Sequence, residues 1–261
     1  MNKDLQLKSD ELKLILLIVG DHKVGKKTIV KGIIRENDFN KKEQDTFTSY
    51  FFVHEEIIGK SKILIPIELR VLKSEELNSE LKLNKTIFND SFGAFVVSSI
   101  TDNNSFINGE KWKNKIDLLC CLPNRFPIPI FLLINKCDII ANEDKEENKQ
   151  NFEYIQKEKI ETYSLENQFF NTFLLGKCEE ENNLLKVNTE KNDDNKISIN
   201  NNKNEENIID LMVSPITPFK EIVKIIMGFK DIRNRFVIQS GGNINEYEYK
   251  EENKSKKCIV Y

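Results

Sequence analysis

The pattern of hydrophobic and polar positions divides residues 12 to 236 into short buried strands separated by amphipathic helices. Apolar residues with helical spacing occur at residues 28–35, 105–119 and 148–163, and a last amphipathic helix begins near Pro218. Strands alternating with helices are typical of an α/β domain built on a mostly parallel sheet. The six predicted strands are apolar or rich in β-branched and aromatic residues, and they occupy residues 12–19, 46–58, 63–72, 92–99, 128–134 and 169–175.

Two of the predicted strands are close neighbours in the chain. Only residues 59–62 separate the strand at 46–58 from the strand at 63–72, which predicts an antiparallel pair joined by a tight turn. The second strand contains Pro66, which has no N–H to donate. Part of that strand is therefore expected at a sheet edge or a bulge.

Three segments have no hydrophobic periodicity and are predicted to lie outside the α/β domain. Residues 1–11 form an N-terminal extension without the apolar stretch of a signal peptide. Residues from about 182 to 210 are rich in Asn, Lys and Glu, so we expect a disordered insertion that cannot offset its ordering entropy. Residues 237–261 are predicted to form a flexible polar tail.

Composition limits the classes of partner and compartment. The 261 residues carry a formal net charge of −3, so no global basic field indicates a nucleic-acid partner. The five cysteines include no C-x-x-C pair, which argues against a zinc site or a disulfide framework. The longest apolar runs are too short to cross a bilayer. A cytoplasmic protein is expected.

The first buried strand ends in the sequence GDHKVGKKT, which nearly matches the phosphate-binding pattern G-x-x-x-x-G-K-[ST]. A glycine-rich turn that opens a helix exposes backbone N–H groups to a phosphate. The hydroxyl position holds Lys27, which has no acceptor for Mg²⁺, and Thr28 is about 100° further round the helix. An ordinary strand–turn–helix connection is the alternative. The predicted phosphate-binding residues here are Gly20, His22, Lys23, Val24, Gly25, Lys26, Lys27 and Thr28.

A second motif, NKCD, directly follows the predicted strand at 128–134. The Asp138 carboxylate could accept hydrogen bonds from guanine N1–H and the exocyclic amine, a pair of donors that adenine lacks. Asn135 and the Lys136 stem would brace the base and the phosphate loop. The motif lies where open α/β sheets bind their ligands. The two motifs together therefore predict a guanine-nucleotide fold.

With these motifs, the chain resembles a small GTPase of the Ras superfamily, and within it the Rab family. The stretch GAFVVSSITDNNSFINGEKWKNKIDLLCCLPNRFPIPIFLLINKCDI carries the likeness. Its W-K-x-x-[IL]-D helix and LPN turn are similar to the Rab branch that serves lysosome-related organelles. The resemblance covers roughly residues 12–178 and resumes near residue 216. It implies a Ras-like P-loop NTPase domain, with a six-stranded mostly parallel sheet and helices on both faces.

The resemblance also implies further site residues. Thr46 lies where the family's switch-one threonine contacts Mg²⁺ and the γ-phosphate, which makes it the one candidate metal ligand. Gly176 and Lys177 lie where the family has Ser-Ala-Lys, a loop that backs the guanine. The implied cofactors are GTP or GDP, with a Mg²⁺ site whose ligands are degenerate.

In the family the third strand ends in the motif W-D-x-A-G-Q, and this chain has residues of different chemical type at those positions. A gapless alignment through Glu75 places Arg70 at the metal-binding carboxylate, Lys73 at the γ-phosphate-sensing glycine and Ser74 at the water-orienting glutamine. Catalysis in this class is mostly positioning and metal electrostatics, so no catalytic residue is assigned. Two interpretations stay open: Lys27 and Arg70 replace the positive charge of the metal, or the nucleotide site has decayed.

These departures also leave the activity open. One hypothesis is a Rab-like GTP-binding protein of vesicle trafficking, with slow or absent GTP hydrolysis. The other is a pseudo-GTPase interaction scaffold that binds nucleotide weakly or not at all. A third class, an ATP-using P-loop kinase, is disfavoured by NKCD.

The chain ends in KSKKCIVY, a C-a-a-X-like arrangement with Cys258 as the candidate prenylation site. One prenyl chain anchors weakly, so Lys254, Lys256 and Lys257 would supply a second signal. The alternative is an ordinary tail cysteine. The expected partners are guanine nucleotide, protein effectors, exchange factors and a membrane surface. The expected location is cytoplasmic and peripheral on endomembranes.

Overall fold

The computed structural model describes residues 12–35, 38–58, 61–73, 85–88, 90–123, 125–143, 154–176 and 211–239. The predicted extension at 1–11, the insertion at about 182–210 and the tail beyond Gln239 lie outside the described residues. In chain order the elements are β1 Leu14–Gly20, α1 Lys26–Ile34, β2 Asn40–Glu43, β3 Phe47–Ile58, β4 Ser61–Leu72, α2 Lys85–Phe88, β5 Ser91–Ser99, α3 Asn103–Leu119, β6 Ile130–Asn135, α4 Asp138–Glu143, α5 Lys157–Glu166, β7 Asn171–Leu175, β8 Met212–Val213, α6 Ile216–Gly228 and α7 Lys230–Gln239.

The described strands form one sheet in the order β2-β3-β4-β1-β5-β6-β7-β8. The α/β class is confirmed, and the six predicted strands correspond to β1 and β3 to β7. The predicted count of six is wrong, because this sheet has eight strands. β2 is the exposed sequence NKKE, which only its pairing with β3 reveals, and β8 has two residues paired with the end of β7.

The central strand, β1, positions the candidate site. All seven of its residues are buried, and it pairs in parallel with β4 on one side and β5 on the other. A strand covered on both faces and both edges needs the continuous apolar sequence LILLIVG. Its carboxyl end, Gly20, therefore opens directly into the loop before α1.

Pro66 occupies a position that the sheet tolerates. β4 is continuous and pairs with β3 along its whole length, with Pro66 opposite Val53. The ladder between β4 and β1 begins only at Ile67. Pro66 therefore lies in a stretch of β4 with a strand on one side only, which agrees with the predicted edge position.

Helices cover both faces of the sheet, as two residues of β5 show. The Gly93 position faces Ile222 and Ile226 of α6, and Val96 lies against Gly109 of α3. Residues an odd number apart in a strand point to opposite faces. Consequently α6 and α3 lie on opposite sides of β5.

Some observed helices are longer than predicted, and one predicted helix is divided in two. α1 and α3 each begin two residues before their predicted start, and the short α4 was not predicted. The single predicted last helix is two helices, α6 and α7, with the break at Phe229. α7 runs to Gln239, three residues beyond the predicted domain end at 236. The Gln239 side-chain amide bonds both backbone groups of Leu12, at 2.9 and 3.3 Å.

His54 on β3 lies in surroundings that disfavour its charged form. Its ring meets the Phe219 ring edge-on at 5.1 Å, and its Nε2 lies 3.2 Å from Glu56 Oε2. Burial lowers the pKa of His54 from its ordinary 6.5, with a smaller lowering from Lys220, against the opposing effects of Glu56 and Glu55. The unfolded chain therefore takes up the proton first as pH falls.

We predict that the free energy of unfolding decreases below pH 6.5 and that His54→Gln weakens this decrease, because the glutamine side chain does not titrate. Urea unfolding of both proteins at several pH values between about 7.5 and 5 measures the difference. If the free energies of unfolding of the two proteins decrease in parallel with pH over this range, the prediction is contradicted.

Candidate nucleotide-binding site

Two glycines shape the loop between β1 and α1. Gly20 has a φ of 138°, and a Cβ there would lie 2.2 Å from the carbonyl oxygen of Val97. Gly25 has a φ of 96°, and a Cβ there would lie 2.1 Å from Asn135 Nδ2. Any larger residue at either position would meet backbone or a neighbouring amide in a strained conformation. The close-fitting turn of the phosphate-loop pattern is therefore present.

The base motif contacts this loop directly. Asn135, the last residue of β6, donates from Nδ2 to the carbonyl oxygen of Val24 at 2.8 Å. Lys136 is half-buried with a φ of 67°, and Asp138 is the first residue of α4. The bond holds the phosphate loop and the NKCD segment in fixed relative positions.

The loop after β7 lies beside the base motif. The Cys137 N–H donates to Leu175 O at 3.0 Å, and a Cβ on Gly176 would lie 3.4 Å from the Asp138 nitrogen. Met212 of β8 packs on the same glycine, with its sulfur 2.4 Å from that Cβ position. The structure thus places Gly176 beside Asp138, whereas Lys177, the other residue predicted for the guanine side, lies outside the described residues.

Asp21 is a loop residue that the sequence analysis missed. Its two carboxylate oxygens accept hydrogen bonds from Asn108 Nδ2 at 2.7 Å and Trp112 Nε1 at 3.2 Å. Both donors lie on α3, about 90 residues away, so no local spacing could have indicated the contact. The bonds attach the first residue of the loop to a buried helix.

The loop forms one wall of a cavity of about 540 Å³. Seven of the nine predicted phosphate-binding residues line it; Gly20 and Thr46 do not. The ends of β2, β3 and β4 complete the walls. The lining residues are Asp21, His22, Lys23, Val24, Gly25, Lys26, Lys27, Thr28, Glu43, Thr48, Val71, Leu72 and Lys73.

The cavity is positively charged, with four lysines against two carboxylates. Lys26 Nζ donates to the carbonyl oxygens of Gly20 at 2.5 Å and Asp21 at 2.8 Å. The pKa of Glu43 is lowered, first by its hydrogen bond and charge contact with Lys41 and then by the charges of Lys27 and Lys73. Lys27 and Lys73 therefore act electrostatically on the same space.

The predicted role of Thr46 is not supported by its position. Its backbone oxygen accepts a hydrogen bond from Lys73 N–H at 3.0 Å, and its side chain is absent from the cavity lining. Thr48, two residues further along β3, lines the cavity and is 4% exposed. Thr46 lies in the bend before β3, whereas Thr48 lies within the strand, so Thr48 and not Thr46 is the hydroxyl that this segment brings to the cavity.

Arg70 corrects a second expectation. It does not line the cavity. Its Nε donates to Glu68 Oε1 at 2.7 Å and its Nη1 to Ile87 O at 2.9 Å, and the Arg70 and Glu68 side chains are only 14% and 8% exposed. This charge is neutralised inside the protein, so Arg70 cannot replace a metal at the phosphates. Lys73, three residues later, is the cation that β4 brings to the cavity.

The residues present do not fit a Mg²⁺ site. Mg²⁺ prefers oxygen ligands in octahedral geometry. Of the two carboxylates that line the cavity, Asp21 already accepts two hydrogen bonds and Glu43 is paired with Lys41 at 3.2 Å. The other side-chain oxygens in the lining are the hydroxyls of Thr28 and Thr48, which do not make up an octahedral set. Within the described ranges, no group of three or more His, Cys, Asp or Glu side chains could hold a metal ion.

Among the described helices, none is both long enough and apolar enough to pass through a bilayer. Cys258, the predicted lipidation site, lies outside the described residues.

Comparison with known proteins agrees with this geometry. The family model of the Ras family matches residues 15–173, more than half of the chain. Similar proteins include Ras-related protein Rab-32 of Mus musculus, 30% identical over 52% of this chain and 56% of its own length. Ras-related protein Rab-7L1 of Homo sapiens is 26% identical over 48% of this chain and 59% of its own.

A third relative is Ras-related protein Rab-32B of Dictyostelium discoideum, 24% identical over 60% of this chain and 55% of its own length. The match thus spans little more than half of each of these relatives. The family match covers the strand, loop and base motif that build the site. The chain belongs to the Ras family, as a divergent Rab-like small GTPase.

Proposed function

We propose that this protein is a Rab-like guanine-nucleotide-binding protein that holds the phosphates with backbone N–H groups and lysines instead of Mg²⁺. The observation that carries the proposal is that Lys26, Lys27 and Lys73 line one cavity, with Lys27 at the position where the phosphate-loop pattern has a metal-binding hydroxyl. Ammonium groups offset phosphate charge without coordination geometry. In this proposal Lys73 offsets the phosphate charge, the role that the sequence alone suggested for Arg70.

Guanine recognition rests on the NKCD segment. Asp138 can accept from the two donors of a guanine edge, and adenine would leave the carboxylate unpaired. The 2.8 Å bond from Asn135 to Val24 fixes the distance between this segment and the phosphate loop. A single ligand with a purine at one end and phosphates at the other matches that arrangement.

GTP hydrolysis is expected to be slow or absent. Hydrolysis in this class needs a group that orients the attacking water and a metal that offsets developing charge. Val71 and Leu72 offer no such group, and Asp21 is engaged by Asn108 and Trp112. The protein would then act through the state of its bound nucleotide rather than through turnover.

The cellular role that follows is in vesicle trafficking, supported by similarity to Ras-related Rab proteins. Effectors and exchange factors are the proposed protein partners. Prenylation of Cys258, with the neighbouring lysines, would hold the protein at the cytoplasmic surface of endomembranes.

The first prediction concerns the metal. GDP and GTP analogues carrying a fluorophore should bind with affinities that differ by less than about threefold between buffers containing Mg²⁺ and EDTA, because lysines supply the charge. Fluorescence titration measures the dissociation constant in each buffer. A large loss of affinity in EDTA would contradict the metal-free site. No binding in either buffer would instead favour the pseudo-GTPase scaffold.

The second prediction concerns Lys27. Lys27→Ser should weaken GDP binding about tenfold, since one charge-assisted contact to phosphate is lost. Lys31→Ser is the matched control: Lys31 is an exposed lysine on the same helix, away from the cavity. Equal affinities of the two variants, or tighter Mg²⁺-dependent binding by Lys27→Ser, would contradict the role of Lys27.

The third prediction concerns the base. Asp138→Asn should lower GDP affinity by about 100-fold, because an amide nitrogen replaces an acceptor and faces a guanine donor. Asp231→Asn, which changes an exposed acid in the first turn of α7, should have no effect. Competition of GDP and ADP against a labelled nucleotide gives the preference, and unchanged discrimination in Asp138→Asn would contradict it.

A further inference from the structure

A second polar cavity, of about 770 Å³, lies at the end of β1 away from the phosphate loop. It shares no lining residue with the nucleotide cavity. Leu12 and Lys13 precede β1, Ser91 begins β5, and the turn after α3 contributes Arg125. β1 has seven residues, so the two cavities are separated by about 20 Å of buried strand.

The charges around this cavity favour an anion. Arg70 and Glu68 both line it but neutralise each other through their 2.7 Å contact. The other charged lining residues are Lys13, Arg125 and Arg235 against a single carboxylate, Asp90. Positive charge is thus concentrated in a concave site, on a chain whose formal net charge is −3.

Ser91 supplies an independent observation. It lines the cavity and is 3% exposed, and its hydroxyl has no hydrogen-bond partner within the described part of the chain. A buried hydroxyl without a partner is unfavourable, and in a native structure it calls for an explanation, for which a bound ion or ligand is one candidate. The hydroxyl can donate to an anionic oxygen, whereas guanidinium groups bind phosphate in bidentate fashion.

The direction of the chain indicates the source of the anion. Leu12 lines the cavity, and both of its backbone groups are bonded by Gln239, where α7 ends. Lys254, Lys256, Lys257 and the candidate prenylation site Cys258 follow Gln239 in the sequence. Because Gln239 borders the cavity, a lipid headgroup is the source that we favour over a soluble ester.

We propose that this cavity, built from Lys13, Ser91, Arg125 and Arg235, binds a phosphate monoester, as presented by the headgroup of a phosphoinositide. The site is separate from the proposed nucleotide function and does not depend on it. A soluble phosphate ester has the same chemistry, so the experiment must separate the two sources.

The test uses the full chain, unlipidated. Its binding is measured to phosphatidylcholine vesicles with and without phosphatidylinositol 4-phosphate, and to soluble inositol 1,4-bisphosphate. Arg125→Glu/Arg235→Glu should weaken binding about tenfold or more, because two charge contacts are reversed. Lys111→Glu/Lys224→Glu makes the same charge change at exposed positions outside both cavities and should have a much smaller effect.

A milder variant, Ser91→Ala, should weaken binding about threefold without lowering thermal stability, since it removes only a hydroxyl that has no described protein partner. Ser91→Ala tests the site even if the Arg125→Glu/Arg235→Glu variant does not fold. Binding to vesicles and soluble ester alike supports the site with either source, and binding to vesicles alone assigns it to lipid. Equal effects of the two double variants, or binding unchanged by Ser91→Ala, would overturn the proposal and assign the binding to the tail lysines.

Discussion

The hydrogen bond from Asn135 to the carbonyl oxygen of Val24 is the constraint on which the candidate site depends. It joins the end of β6 to the loop after β1, across the intervening strand β5. Gly25 must be glycine because this amide occupies the space of a side chain. Asn108 and Trp112 secure the other end of the loop through Asp21. The loop geometry therefore depends on long-range packing as well as on the glycines in its own sequence.

In the proposed function, lysine charge takes the place of a metal ion. Arg70 near the end of β4 and Lys73 just after it are both cationic, but they have different roles. Arg70 is paired with Glu68 and contributes to the interior, whereas Lys73 lies in the cavity with Lys27. The side that would hold a metal carboxylate is thus lined by lysine and alkyl groups. In the proposed function this arrangement offsets phosphate charge, and at the end of β4 it offers alkyl groups where the family has its water-orienting segment.

The parts of the fold that could be predicted from the sequence are those that local residue patterns determine. Continuous apolar runs located six strands, and the two motifs located the loop and the base segment. β2 was missed because NKKE becomes a strand only by pairing, and the helix break at Phe229 because the apolar spacing continues through it. Arg70 was misassigned because a gapless alignment gives positions but not the partners of a side chain. Asp21 and Ser91 were missed because their surroundings come from distant residues.

The central claim is that the nucleotide is held without a metal ion, and the most direct measurement is the stoichiometry of the bound state. The protein is saturated with GDP in Mg²⁺-containing buffer and desalted, and then its nucleotide is quantified by chromatography and its magnesium by elemental analysis. The account predicts about one nucleotide per chain with magnesium far below one equivalent. One magnesium ion retained for each nucleotide would contradict it.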